Sequence, residues 1–131
     1  MKISRSLEYG LLVVGHIAKY GNNDFVTVAS ISRKHNIKPA QLAKIAKEFV
    51  RANILKNKMG PNGGFKLIIP ADQISLLDII EAVDGPLEQI AVVSEKTEHE
   101  PFIMNIEKTC KDVIAKAKDS LHKAKISKMI K

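Results

Sequence analysis

Apolar positions along the chain change period several times, and each change marks an element. Over residues 6–20, Leu7, Leu11, Val14 and Ala18 recur at three- and four-residue steps, with Leu12, Val13 and Ile17 widening the stripe. That predicts a helix buried on more than one side. Gly21-Asn22-Asn23-Asp24 ends it as a turn. A short helix over residues 28–35 then carries Ile31 inward and Arg33 and Lys34 outward, and Asn36-Ile37-Lys38 turns the chain. Pro39 opens a second helix, where its fixed φ and missing donor suit a first helical position. In that helix Leu42, Ile45, Ala46, Phe49 and Val50 make an inner face, leaving Gln41, Lys44, Lys47, Glu48 and Arg51 outside.

Two apolar or alternating runs follow, over residues 54–58 and 65–69, separated by Met59-Gly60-Pro61-Asn62-Gly63-Gly64. This predicts a hairpin with a glycine-rich tip. Ser75 caps a further helix whose Leu76, Leu77, Ile79, Ile80 and Val83 turn inward, and Asp84-Gly85-Pro86 stops it. Residues 94–101 are polar without period and read as loop. Beyond them Ile103, Ile106, Cys110, Val113, Ala117, Leu121 and Ala124 step by three or four residues, which predicts one long helix with a coiled-coil-like seam. The expected class is mostly α with a small β-hairpin: a winged helix-turn-helix domain over residues 1–86, a polar loop over 87–101, and a C-terminal dimerisation helix and tail over 102–131.

Helix, turn, helix and basic ribbon is the order in which the second helix enters a DNA major groove. Charge supports this. Residues 1–66 carry 12 Lys and Arg against 3 Asp and Glu, residues 67–103 carry 1 against 8, and residues 104–131 carry 8 against 3. A nearly acid-free first half is the footprint of a polyanion site. Ala40, Gln41 and Lys44 occupy the start of the second helix, where Gln suits adenine and Lys guanine. Lys56, Lys58 and Lys66 line the hairpin, with Asn62 at its tip. GPNGG is no phosphate-binding P-loop, because no Gly-Lys-Ser/Thr follows it.

One cysteine in 131 residues excludes an intramolecular disulfide, and no zinc spacing is present. Glu8 and His16 interrupt the apolar start in a way that a secretory leader would not, and no stretch reaches membrane-spanning length, so a cytoplasmic protein without a membrane partner is expected. His16 reads as a core or interface histidine, and His99 and His122 as solvated. No catalytic triad or nucleotide motif appears, so no enzyme is expected.

The opening MKISRSLEYGL, the helix-turn-helix, the KNKMGPNGGF wing and SLLDIIEAVDGP, followed by a long final helix, resemble the bacterial winged-helix repressors of the iron–sulfur cluster regulator family, whose members sense nitric oxide, iron or cysteine status. The resemblance implies a homodimer joined through the final helices, with two heads on a palindromic operator in double-stranded DNA. Many relatives hold a cluster with three cysteines in the interval that corresponds to residues 87–108, which has none here. Glu8 and His35 sit near positions that complete the site in some relatives, and Cys110 falls within the final helix. No cofactor and no metal site are therefore expected. Cys110 reads as a small apolar seam residue, with a redox-active thiol as the sharper alternative. Relatives often carry an arginine where this wing has Met59. A protein-interaction module that docks onto a partner protein, or answers to a small ligand, is the alternative functional reading, motivated by the acidic middle segment.

Overall fold

The computed structural model describes residues 2–131, apart from the side chain of Ile90. Helix α1 (Arg5–Tyr20) starts where the Ser4 hydroxyl accepts the Leu7 N–H at 3.1 Å. It buries Leu7, Val13, Val14 and Ile17. Helix α2 (Val28–His35) is capped by Thr27 and ends at Asn36, which adopts the left-handed conformation with φ 54°. Helix α3 (Pro39–Arg51) has its proline in the first turn and buries Leu42, Ile45, Ala46 and Phe49. The helices α1 and α3 approach closely at Gly10, where an added methyl would lie 3.0 Å from Cζ of Phe49.

The hairpin is shorter than the apolar runs suggest. Strands β1 (Leu55–Lys58) and β2 (Gly64–Leu67) pair antiparallel, with Leu55 opposite Leu67 and Lys56 opposite Lys66. Ile54 stays out of β1 because its N–H donates to the Phe49 carbonyl at the end of α3, past the left-handed Asn53. Val26 exchanges two 2.8 Å backbone hydrogen bonds with Phe65, adding a one-residue third strand to the ribbon. Gly64 permits this approach: a Cβ there would lie 2.4 Å from the Val26 carbonyl oxygen.

Helix α4 (Leu76–Asp84) begins with a reciprocal cap between Ser75 and Asp78 and ends at Gly85, φ 87°. Leu77, Ile79 and Ile80 are buried, while Leu76 and Val83 are half-buried against the same core. The interval expected to be loop starts with a 3₁₀ turn, Leu87–Ala91, which buries Leu87 and Ala91. Helix α5 (Pro101–Lys123) spans 23 residues, about 35 Å at 1.5 Å per residue. It lies on α4 and the 3₁₀ turn, where Lys118 forms ion pairs with Glu88 and, at 3.8 Å, with Glu81.

The expected seam does not run on through Ala124. The helix stops at Lys123 and the tail turns back: the Leu76 N–H donates to the Ala124 carbonyl and the Ile126 N–H to the Ile74 carbonyl, both at 2.9 Å. Ile126 is buried in the core that α1, α3 and α4 share. Backbone pairing with the cap of α4 thus outweighs one more turn of helix, and the last residues pack with the head.

Candidate nucleic-acid interface

On α3, burial of Leu42, Ile45, Ala46 and Phe49 leaves Ala40, Gln41, Lys44, Lys47 and Arg51 exposed. The first turn has no side-chain cap; Pro39 brings no N–H to it, and the Gln41 N–H donates to the Lys38 carbonyl at 3.2 Å. Gln41 and Lys44 share one wall of a cavity of about 390 Å³ whose other wall is the start of α1, Arg5, Ser6 and Tyr9. Arg5 is therefore a cation beside the reading face that sequence reasoning did not single out. Glu48 also lines this groove and is paired with Arg51 at 2.7 Å, so both of its neighbours on the stripe, Gln41 and Lys44, keep their side chains free of it.

The wing presents Lys56, Lys58 and Lys66. Lys56 and Lys66 are directly opposite in the ladder, a like-charge pair that opposes hairpin formation unless a counter-charge arrives. Among the described residues none of the three has a carboxylate within 4.0 Å. Asn62 is exposed at the tip. The loop behind it is fixed by a 3.0 Å bond from the Gly63 N–H to the Gly60 carbonyl, and Gly63 leaves no room for a side chain, since a Cβ there would lie 2.2 Å from the Lys58 carbonyl oxygen.

The seam residues divide into two groups. Ile106, Cys110 and Val113 are exposed, and Phe102 extends the same line by one turn; sequence spacing had not included it. Ile103 and Ala117 are half-buried, while Leu121 packs on the core of its own head.

His16 is buried, with its Nδ1 3.3 Å from Nε2 of His35, so one ring donates and the other accepts. Lys34 lies 3.5 Å above the Tyr20 ring centroid beside this pair, and Lys19 is near the same ring. Burial, and then the electrostatic influence of His35 and Lys34, hold the His16 pKa below its ordinary 6.5. The folded protein thus favours neutral His16. The resulting stability is complete above pH 6.5, where the unfolded chain is also neutral, and is lost as pH falls through the lowered folded pKa. The unfolding temperature of the wild type should fall on the acid side of this window, and His16→Gln should flatten that slope. Parallel pH profiles for the two proteins would contradict the assignment.

Among the described residues no three His, Cys, Asp or Glu side chains come together to hold a metal ion. Glu8 and Cys110 are exposed on α1 and α5, and His35 is engaged with His16. Iron–sulfur clusters are held by sets of cysteine thiolates. A chain with one cysteine does not supply such a set, so these residues do not fit a cluster.

A winged helix-turn-helix head with an appended long helix defines a class of DNA-binding transcription regulator. The family model Rrf2, described as an iron-dependent transcriptional regulator, matches residues 3–129, and the chain belongs to this family. It is similar to the HTH-type transcriptional regulator IscR of Cereibacter sphaeroides, 33% identical over 86 residues covering 64% of this chain and 56% of that protein. Similarity to the HTH-type transcriptional regulator CymR of Bacillus subtilis is 28% over 96 residues, covering 73% and 70%. The solved structure of CymR, the global cysteine regulator of B. subtilis, superposes with TM-score 0.72 at 25% identity, covering 99% of this chain and 96% of that one. The aligned part thus spans little more than half the length of the Cereibacter relative but nearly all of the solved CymR chain. These relatives are named as transcriptional regulators, not enzymes. No helix among the described residues is long and apolar enough to cross a membrane.

Proposed function

We propose that this protein is a homodimeric, sequence-specific repressor of transcription that works in the cytoplasm without an iron–sulfur cluster. Two copies join along the exposed stripe Phe102, Ile106, Cys110 and Val113, with Ile103 and Ala117 at its edge, and set two heads on a palindromic operator. Each head inserts the start of α3, with Ala40, Gln41 and Lys44 toward base edges, and lays Lys56, Lys58 and Asn62 of the wing against the backbone. Half-sites then lie about 34–36 Å apart, or a multiple of that. Cys110 serves as a small apolar contact between the copies.

The observation that carries this reading is the cationic set on α3 and the ribbon, which among the described residues has no carboxylate partners beyond the Glu48–Arg51 pair. Cations left unpaired within one chain are available to phosphates, and their contacts release counterions. Affinity for operator DNA should therefore fall steeply as salt rises. Lys44→Ala and Gln41→Ala should each reduce discrimination between operator and scrambled duplex, by about 1–3 kcal/mol for a good bidentate base contact. Gel shift on the promoter region next to its own gene, in low and moderate salt, tests both statements. No retained duplex at low salt would defeat the proposal.

A further inference from the structure

The wing's lysines pose a problem that the fold itself answers. Long, flexible ammonium side chains lose freedom when they grip a phosphate, and a ribbon with Lys56 facing Lys66 gains nothing from holding them in place alone. A carboxylate could hold them but would neutralise them. The structure uses an aromatic ring instead. Val26 bridges Phe65, so the preceding Phe25 lies alongside Lys66, on the face of the ribbon that carries Lys56 and Lys58. The Nζ atoms of Lys58 and Lys66 stand 5.6 and 5.7 Å from the Phe25 ring centroid, within cation–π range. The nearby Asp24 carboxylate is occupied, accepting the Phe25 N–H at 2.8 Å, and among the described residues it makes no ion pair with either lysine. Gly64 is what lets this short strand press against β2, since any side chain there would meet the Val26 carbonyl.

We infer that Phe25 is the positioning residue of the wing, holding the Lys58 and Lys66 ammonium groups in register for the phosphate oxygens of a bound duplex while leaving their charge unspent. The inference rests on the DNA-binding reading above and deepens it, because it assigns part of the affinity to a residue that touches no DNA. A ring attracts the cations through its π-face, whereas leucine offers similar apolar volume and no such attraction. Phe25→Leu should therefore keep the strand packed and release the lysines.

The test compares wild type, Phe25→Leu and Phe25→Tyr as full chains, by duplex affinity over a salt series and by proton NMR of the free proteins. Phe25→Leu should lose about 3- to 10-fold in affinity, with a shallower salt dependence, while Phe25→Tyr should stay within about 2-fold of wild type. Ring-current upfield shifts of the Lys58 and Lys66 ε-methylene protons should be present in wild type and Phe25→Tyr and absent in Phe25→Leu. This readout is independent of DNA and of overall stability. Equal affinity and equal salt dependence of the leucine variant and wild type would overturn the inference while leaving DNA binding intact, as would lysine shifts unchanged across the three proteins. A tyrosine variant as weak as the leucine variant would also overturn it. Wild-type protein that holds no duplex even at low salt would overturn the DNA-binding reading and this inference together.

Discussion

Replacing Ile106 and Val113 together with Glu should yield a folded monomer that no longer holds operator DNA. Both side chains are more than half exposed within one chain, so the head has no use for them and should unfold at an unchanged temperature. Between two chains they sit on the proposed seam. Full burial of an exposed apolar side chain contributes about 1.5–3 kcal/mol, of which roughly half is left to be gained at these half-covered positions, and four are removed per dimer. The glutamates add like-charge repulsion across the axis and unpaired carboxylates in a dry interface. A dimer losing on the order of 6 kcal/mol or more dissociates at working concentrations. Operator affinity should then drop by about 100-fold or more, because separate heads no longer bind as one tethered unit. Sedimentation and gel shift on the same preparation measure both effects. A double variant that still sediments as a dimer would move the interface elsewhere.

The second large effect is on folding. Phe49 is fully buried on α3, and its ring fills the space opposite Gly10 of α1. Phe49→Ala leaves a cavity where the recognition helix is braced on α1, at a cost of about 3–5 kcal/mol. Against a typical total of about 5–15 kcal/mol, that removes a large share of the stability of the head. Denaturant unfolding should show a much lower midpoint with a similar slope. A loss below about 1 kcal/mol would mean that the ring is not the brace described here.

The elements that sequence made legible are those whose signals are local. Pro39 and the 3.6-residue period of Leu42, Ile45 and Phe49 marked α3 because a proline and a buried stripe act within one helix. Ser75 announced α4 because its capping partner Asp78 is three residues away. What stayed hidden depends on partners far along the chain. The Val26 bridge to Phe65 is a single pair with no period, so the third strand and the place of Phe25 beside two lysines left no pattern to read. The return of the tail is similar: Lys125 bridges Ser75 across fifty residues, and Ile126 looks like any other isolated apolar residue until the core receives it.

Periodicity also reports that a face is apolar without saying what covers it. In α5 it merged Leu121, which belongs to its own head, with Ile106 and Val113, which face away from it. The shortened β1 has a related cause: Ile54 is as apolar as a strand residue should be, but its N–H is claimed by α3. At the interface, the residue types at Gln41, Lys44, Lys56 and Lys58 could be read from the sequence. The presence of Arg5 in the same groove as Gln41 could not, because it depends on how α1 crosses α3.

Selection from a pool of random duplexes with the purified full chain asks whether two heads of one dimer read DNA together. Enrichment of an inverted repeat is expected, with half-sites about one helical turn apart or a multiple of it, retained by a species carrying two chains. Enrichment of nothing, or of a single half-site held by one chain with undiminished affinity, would contradict it.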